Sequence, residues 1–468
     1  MATTKSMRTK LLLSICIVAL TTASRAQLPT ARIDSAMKVA YDYGIFNGNI
    51  LVAKGNAILY QKSFGFADNR KDRALRPDTK FDIGSISKEF NGVGIMLLKE
   101  KGLLTLESSV SEFFPEFAAW AKKVKIKHLI NYTSGIPRLP GDSPNGNDSL
   151  LYVDLKRLDQ LGFEPGTRYE YSHINVYLQR RIIEKLSKRS YAAFIKENIF
   201  IPLGMTHAAV DYPTTSADMA QAFDDDGKAT PYPDYFKGWT RLPIGDLYIW
   251  EKALWGGQVI STESLKELAL AFGSGESSLG RVVITNGRFE RHSHQGSNFN
   301  YEAVVSTSFT DSITVILMTN SQQLKVQALS AMLMHIVRNE PFTVPKKSLY
   351  LSIRSKLLEN VEAGLNYYRE LKANQSDRYD FSSEIPDLLN AGKYLQRRKL
   401  LKEAIRVYEV ALQLDGRKED LSYAHELLGD AFDELGDKAN ALIHYQKANA
   451  LDPKNKNAES KYKNLQGN

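Results

Sequence analysis

The chain has one cysteine among 468 residues, Cys16, and it lies close to the N-terminus. A framework of disulfide bonds is therefore excluded, because each bridge needs two thiols. Long apolar runs are also lacking. None after the first 30 residues approaches the ~20 residues that span a bilayer, which excludes a protein with several membrane-spanning helices. Hydrophobic residues at 43% and charged residues at 24% are ordinary values for a globular chain.

The first 26 residues have the pattern of a secretory signal peptide. Three basic residues precede an apolar segment over residues 11–20, and Ser24-Arg25-Ala26 forms a small-x-small cleavage site before Gln27. We therefore expect a secreted chain that begins at Gln27 and resides in the bacterial periplasm. Removal of this segment would also remove Cys16 and leave a mature chain without cysteine.

The net charge gives no sign of a nucleic-acid partner. The formal value of +8 includes four basic residues of the signal segment, so 57 of the 61 basic residues remain against 53 acidic ones. An excess this small is typical of a solvated surface. We expect no nucleic-acid partner and no transmembrane segment in the mature chain.

Strands are predicted at both ends of the region 27–345, where apolar runs are bounded by turn residues such as Asn286-Gly287. They comprise residues 50–53, 58–60, 282–284, 303–309 and 313–318. Helical patterns fill the middle of the region. We therefore predict an α+β domain over residues 27–345, in which helices pack on one antiparallel sheet.

Residues 346–468 have a helical pattern almost throughout and contain an internal repeat. Gly392 and Tyr408 in one unit correspond to Gly429 and Tyr445 in the next, a spacing that resembles tetratricopeptide units. We predict an all-α, tetratricopeptide-like domain with flanking helices and a possible protein partner. The alternative is an unrelated pair of helical hairpins.

The strongest chemical signal is Ser85-Ile86-Ser87-Lys88, at the head of a predicted helix that ends at Gly102. Residues three apart share a helix face, so the Lys88 amine can reach the Ser85 hydroxyl. A serine becomes a good nucleophile when a base takes its proton, and a buried amine can serve as that base. Taken alone, the motif favours an N-capping serine followed by a surface lysine.

Further motifs follow in order along the chain, namely Pro165-Gly166, Tyr171-Ser172-His173, residues 201–205 and His294-Gln295-Gly296-Ser297. With them, residues 35–325 resemble the serine β-lactamase and penicillin-binding-protein superfamily, and within it the class C-like serine hydrolases and esterases. The resemblance implies a β-lactamase-like sheet with helices packed on it. It also implies an acyl-enzyme mechanism that needs no cofactor and no metal.

The resemblance also implies roles for single residues. Ser85 would be the acylated nucleophile, Lys88 would help to deprotonate it, and Tyr171 would be the general base or proton shuttle. His294 would belong to the catalytic strand motif that lines the cleft opposite Ser85. The backbone amides of Ser85 and Ser297 would form the oxyanion hole.

Substrate contacts would come from His173, Gln295 and Gly296, and two of the motif positions depart from the family pattern. His173 stands where asparagine is usual, and His294 replaces a lysine with a side chain that is mostly neutral at pH 7. Both changes favour an esterase, or a hydrolase of neutral acyl groups, over a β-lactamase or D-Ala-D-Ala carboxypeptidase. We expect neutral His173 to be the active form and activity to fall below about pH 6.

We predict a serine hydrolase that acts on an ester, an amide or a D-amino-acid peptide, so its partner is a small molecule or peptide. Two alternatives stay open: a catalytically impaired scaffold that acts through its repeats, and a β-lactamase proper. The alternation of His292 and His294 on one strand face also permits a zinc site. We expect no metal, because the motif offers no clear third ligand.

Overall fold

A computed structural model of the chain describes residues 29–142, 147–224, 227–232 and 237–466. The predicted signal peptide and Cys16 lie outside these residues. Among the helices of the described residues, none combines the length and the apolarity that crossing a membrane requires.

Eleven strands are defined within the described residues. They are β1 (Gly48–Lys54), β2 (Ala57–Phe64), β3 (Phe81–Asp82), β4 (Ala209–Val210), β5 (Thr240–Leu242), β6 (Arg281–Thr285), β7 (Arg288–Asn298), β8 (Tyr301–Ser308), β9 (Ile313–Thr319), β10 (Lys347–Ser348) and β11 (Tyr379–Asp380).

The helices form two groups, one on each side of residue 345. The first group comprises α1 (Pro29–Asp42), α2 (Ser87–Glu100), α3 (Val110–Phe113), α4 (Trp120–Lys123), α5 (Ile126–Ile130), α6 (Asp148–Arg157), α7 (His173–Ser187), α8 (Tyr191–Ile195), α9 (Ile201–Leu203), α10 (Ile244–Trp255), α11 (Thr262–Ala269) and α12 (Val326–Val337). The second comprises α13 (Leu349–Glu359), α14 (Val361–Asn374), α15 (Glu384–Gln396), α16 (Leu401–Ala411), α17 (Lys418–Glu434), α18 (Lys438–Leu451) and α19 (Lys456–Gln466).

The main sheet has six antiparallel strands in the order β2-β1-β9-β8-β7-β6. The predicted strands on either side of Gly55 and of Asn286-Gly287 pair as hairpins, and β8 pairs with β9. Strand β1 is buried on both faces because Ile50 and Val52 pack towards α1 and α12, while Leu51 packs into the core beneath the helical middle. The predicted α+β architecture is therefore confirmed.

The helical middle lies between β2 and β6 in the chain and carries a second, three-stranded sheet in the order β3-β5-β4. In this sheet Phe81 lies opposite Leu242 and Asp82 opposite Arg241. Strand β3 leads into a 3-10 turn, Gly84–Ile86, and then into α2, most of whose residues are buried. The turn therefore joins the small sheet to a helix that runs through the core.

After residue 345 the chain forms successive helical hairpins with an apolar cluster of their own. The spacing noted in the sequence places small residues against aromatic ones, because a Cβ on Gly392 would lie 2.2 Å from Tyr408 Cε1 and one on Gly429 2.4 Å from Tyr445 Cε1. An ion pair of 2.9 Å between Lys325 and Asp380 links this region to the start of α12. The boundary at residue 345 and the assignment to tetratricopeptide repeats stay predictions.

Candidate active site

Ser85 lies in the Gly84–Ile86 turn, where its hydroxyl meets two other functional groups. Lys88 Nζ donates to Ser85 Oγ at 2.9 Å, and Tyr171 OH lies 2.8 Å from the same oxygen. Positions three apart are eclipsed across a 3-10 turn, which is why the Lys88 amine reaches the Ser85 hydroxyl. The interpretation as a capping serine with a surface lysine is wrong, because Ser85 caps no helix and Lys88 is only 2% exposed.

Tyr171 stands two residues before α7, and the Ser172 side chain caps the N-terminus of this helix by accepting from Ile174 N at 3.1 Å. This cap satisfies a backbone N–H in the first turn of α7. Lys88 Nζ lies 5.1 Å from the centroid of the Tyr171 ring and 5.4 Å from that of Trp239. The buried ammonium is therefore held by aromatic faces as well as by the serine hydroxyl.

His173 packs edge-on against both aromatic rings, with centroid separations of 6.1 Å to Tyr171 and 6.0 Å to Trp239. Burial of the imidazole, with the positive charges of Lys88 and Arg138, lowers the pKa of His173 to about 3. The side chain is therefore neutral at neutral and mildly acidic pH. This direction opposes the expectation that His173 produces a loss of activity below pH 6, because its titration is displaced to stronger acid. A cavity of about 40 Å³, enough for an ordered water, adjoins His173 and Lys88.

The end of β7 lies in direct backbone contact with the Gly84–Ile86 turn. A Cβ on Gly84 would lie 2.4 Å from Ser297 N, and one on Gly296 would lie 1.9 Å from Ile83 O and 2.7 Å from Ser85 N. Neither position has room for a side chain. Because Gly84 and Gly296 have no side chains, the turn and the end of β7 can approach closely. The backbone amides of Ser85 and Ser297 lie at this contact, one on each segment.

The turn that follows β7 indicates where the Ser297 amide points. Phe299 and Asn300 both have positive φ, at 44° and 69°, and join Asn298 to its partner Tyr301 in a two-residue hairpin. The two residues that flank such a turn are hydrogen-bonded to each other. Along an antiparallel ladder, hydrogen-bonded pairs alternate with pairs that are not hydrogen-bonded. Ser297 and Glu302 therefore form a pair that is not hydrogen-bonded, so the Ser297 N–H points away from β8.

Gln295 lies on the face of β7 opposite to Gly296 and His294, because side chains alternate along a strand. Its Nε2 donates to Glu302 Oε1 at 2.7 Å. Burial raises the pKa of Glu302 to about 7 against the opposing effect of its hydrogen bonds from Leu324 N and Gln295. The substrate contact predicted for Gln295 stays a prediction.

His294 is 3% exposed, and its Nδ1 lies 2.8 Å from Glu89 Oε1 on α2. His292 Nε2 lies 3.3 Å from the same oxygen, while His292 Nδ1 lies 3.0 Å from Glu251 Oε1. We call Glu89, Glu251, His292 and His294 the Glu89 cluster. His294 is thus tied to a helix carboxylate, and no hydrogen bond joins it to Ser85, Lys88 or Tyr171 among the contacts of the described residues.

The protonation of the Glu89 cluster bears on the zinc interpretation. Burial alone would lower the pKa of His292, but the carboxylates of Glu251 and Glu89 outweigh it and raise the pKa to about 10. Burial would likewise raise the pKa of Glu89, yet hydrogen bonds from both histidines hold it below its usual value. Ligand-type atoms of Glu89, His292 and His294 lie within 4.8 Å of one another. In the structure these groups are hydrogen-bonded to one another, so the cluster is a hydrogen-bonded ion network in which a metal ion would have to displace the protons of its histidine ligands.

Sequence reasoning missed three buried charged residues beside this site: Asp82, Glu89 and Arg241. Asp82 and Glu89 flank the Ser85 motif within an otherwise apolar stretch. Acidic side chains in such a context need partners, and that requirement was the available signal. The site as a whole combines a serine hydroxyl, two groups able to exchange its proton and nearby backbone amides, which are the parts that acyl transfer requires.

Comparisons with known proteins show the family and the fold of the chain. Residues 30–326 match the sequence model of the family described as Beta-lactamase. Penicillin-binding protein 4* of Bacillus subtilis is 31% identical over 339 residues, which cover 64% of this chain and 74% of that protein. The fold is shared with a penicillin-binding protein from Bacillus halodurans (TM-score 0.54, 18% identity, 65% of this chain and 97% of that one). It is also shared with the D-amino acid amidase from Ochrobactrum anthropi SV3 (TM-score 0.55, 18% identity, 66% and 99%). The chain therefore belongs to the β-lactamase family of serine hydrolases, which includes relatives of the penicillin-binding proteins.

Proposed function

We propose that this protein hydrolyses an ester, an amide or a D-amino-acid peptide through an acyl-enzyme formed on Ser85. One observation carries the proposal: Ser85 Oγ lies between Lys88 Nζ at 2.9 Å and Tyr171 OH at 2.8 Å. A hydroxyl held between an amine and a phenol can lose its proton as it attacks a carbonyl. A scaffold that had lost catalysis would have no need to keep these three groups in register.

In the proposed mechanism Tyr171, as phenolate, takes the proton of Ser85 Oγ while that oxygen attacks the carbonyl carbon. Lys88 donates to Ser85 Oγ, and its positive charge stabilises the phenolate. The amides of Ser85 and Ser297 bind the carbonyl oxygen as it gains negative charge. Tyr171 then protonates the leaving group and becomes a phenolate again. A water molecule attacks the acyl carbon while this phenolate takes its proton, and Tyr171 passes the proton to Ser85 Oγ as the acid leaves.

The substrate class follows from the groups near Ser85 and from the relatives. His173 is neutral, and His294 is occupied by Glu89, so neither presents a fixed positive charge for a substrate carboxylate. Neutral acyl groups therefore suit this cleft better than a β-lactam carboxylate. The relative from Bacillus subtilis is named a penicillin-binding protein, and one structural neighbour is a D-amino acid amidase. These names support including D-amino-acid amides and peptides among the substrates.

The test of the nucleophile uses a fluorophosphonate probe and two neighbouring serines. The wild type and Ser87→Ala should be labelled at one probe per chain, whereas Ser85→Ala should not be labelled. Ser87 is the matched control because its Oγ accepts from Thr240 N at 2.9 Å and faces β5. Equal labelling of Ser85→Ala and the wild type would overturn the proposal.

The substrate class is tested with a panel of p-nitrophenyl esters, D-amino-acid amides and a chromogenic cephalosporin. We expect turnover of the esters and of at least one amide, with the cephalosporin the slowest substrate. Cephalosporin turnover as fast as that of the esters would assign a β-lactamase proper. Absence of turnover with every substrate, together with absent probe labelling, would assign a scaffold.

We also propose that the protein is exported after removal of residues 1–26. The basic, apolar and small-residue segments of the N-terminal sequence support this proposal. In a bacterial host, the periplasmic fraction should contain a chain whose N-terminal residue is Gln27. Recovery of a chain beginning at Met1 from the cytoplasm alone would contradict it.

A further inference from the structure

Asp82 is a fully buried carboxylate three residues before Ser85. Its Oδ1 accepts a hydrogen bond from Gly84 N at 2.9 Å and lies 3.4 Å from Asn298 Nδ2. Its Oδ2 accepts from Arg241 Nε and from Tyr232 OH, both at 3.0 Å. Two oxygens thus meet four donors, which is the full accepting capacity of a carboxylate.

These donors come from both sides of the backbone contact between β7 and the Gly84–Ile86 turn. Gly84 is the residue before Ser85, and Asn298 is the residue after Ser297. A single side chain therefore links the two segments whose amides, those of Ser85 and Ser297, were assigned to the oxyanion hole. We call Asp82, Tyr232, Arg241 and Asn298 the Asp82 cluster.

The negative charge of Asp82 is balanced within the cluster. Arg241 lies directly opposite Asp82 in the β3–β5 ladder, and the guanidinium also lies 4.5 Å from the centroid of the Tyr232 ring. Asn298 Nδ2 donates to Tyr232 OH as well, so the donors are connected to one another. A buried ion pair of this kind contributes little net stability but holds its partners in one geometry.

We propose that Asp82 is the positioning residue that holds the amides of Ser85 and Ser297 at the spacing an oxyanion requires. The inference rests on the acyl-enzyme function proposed above. An isosteric amide cannot replace the carboxylate, because it has one accepting oxygen and its NH₂ group would face a donor on either side. Asp82→Asn therefore loosens one of the two segments while it preserves the volume of the side chain.

The experiment compares three variants of the full-length mature chain, with p-nitrophenyl acetate labelled with carbon-13 at its carbonyl. Asp82→Asn removes the negative charge and one of the two accepting oxygens. Asn298→Ala removes the hydrogen bonds from the Ser297 side to Asp82 and Tyr232, at a half-buried hairpin position. Asp246→Asn is the matched control, since that buried carboxylate accepts from His207 N at 3.0 Å outside the site. Infrared spectroscopy after rapid mixing records the carbonyl band of the acyl-enzyme, whose frequency falls as the oxyanion-hole hydrogen bonds strengthen.

We expect Asp82→Asn to shift this band to higher frequency and to lower kcat about 100-fold with little change in KM. Asn298→Ala should shift the band in the same direction and lower kcat on the order of tenfold, which tests the inference even if Asp82→Asn does not fold. Asp246→Asn should leave the band in place.

An unshifted band in Asp82→Asn, or in Asn298→Ala where only that variant folds, would overturn the inference while the wild-type band upholds the proposed function. Absence of an acyl-enzyme band in the wild type would overturn both.

Discussion

Two buried carboxylates flank the nucleophile, and their surroundings differ. Asp82, before Ser85, is balanced by Arg241, a side chain that stays positively charged throughout the accessible pH range. Glu89, after Lys88, is balanced by His292, whose charge depends on its surroundings. The Asp82 cluster thus has a fixed charge arrangement on the side where backbone amides must be held. The Glu89 cluster lies between α2, α10 and β7, and its protonation can change.

The comparison teaches that burial alone does not decide what a charged group does. Both carboxylates are fully buried, and both oxygens of each carboxylate accept a hydrogen bond. What differs is the identity of the compensating cation, and this sets the pH range over which each cluster keeps its charge.

The largest effect is expected when the Glu89 cluster loses its central carboxylate. In Glu89→Ala, Glu251 is the one carboxylate of the cluster left to balance the charge of His292. The substitution also removes the hydrogen-bond acceptor of Trp250 Nε1 and creates a void in the core. We expect the free energy of unfolding to fall by about 3–5 kcal/mol, measured by urea denaturation at pH 7. The matched control is Glu267→Ala, which breaks a partly exposed ion pair with Lys99, a residue on the same helix as Glu89. This variant should cost about 1 kcal/mol or less. Equal losses would show that the cluster is not a stabilising unit.

The second prediction distinguishes the two clusters by pH. Because the folded protein raises the pKa of His292 from 6.5 to about 10, the stability from its charge is fully present below pH 6.5 and is lost as the pH rises through about 10. Between these values the free energy of unfolding should fall by up to about 1.4 kcal/mol per pH unit. The slope attributable to His292 is the difference between the wild type and His292→Gln. Identical slopes for both proteins would show that groups other than His292 cause the loss of stability at alkaline pH.

The third prediction concerns Ser87, which links the head of α2 to β5 on the Asp82 side. Ser87→Ala leaves the buried Thr240 N–H without its acceptor. The free energy of unfolding should fall by about 1–3 kcal/mol, while fluorophosphonate labelling at Ser85 is kept. Loss of labelling in a folded Ser87→Ala protein would mean that this contact also shapes the nucleophile turn.

The smallest effect is expected for His173→Asn. Since the pKa of His173 is lowered to about 3, the imidazole is neutral across the ordinary assay range. The profile of kcat/KM between pH 5 and pH 8 should therefore keep its shape in the variant, although its height changes. A displaced acidic limb in His173→Asn would show that the imidazole titrates within this range after all.

Local patterns were enough to predict several parts of the molecule. The hairpins followed from turn residues between β-type runs, because loop chemistry alone selects a tight turn. The proximity of Ser85 and Lys88 followed from their three-residue spacing, because one helical turn brings such positions to one face. Gly392 and Gly429 marked close contacts with Tyr408 and Tyr445, because a glycine gives a neighbouring ring room to approach. In each case the interacting residues are neighbours in the chain or repeat with a fixed period.

The same reasoning failed where protonation depends on surroundings. The sequence alone suggested an ordinary titration for His173, and only the enclosure by Tyr171 and Trp239 with Lys88 nearby moves it to stronger acid. The hydrogen bond between His294 and Glu89 was likewise not predicted. The local sequence does not determine how much water or charge surrounds a side chain after folding, because both depend on residues that are distant in the chain.

By itself, the sequence determined the family, the mixed α/β pattern and the Ser85–Lys88 pair, because each depends on residues close together or on motifs in a set order. Only the tertiary structure decided the pairings that surround them. Asp82 meets Arg241 across 159 residues of chain, and Glu89 meets His294 across 205. Such partners are chosen by which strand lies against which helix once the core has formed, and no local period encodes that choice.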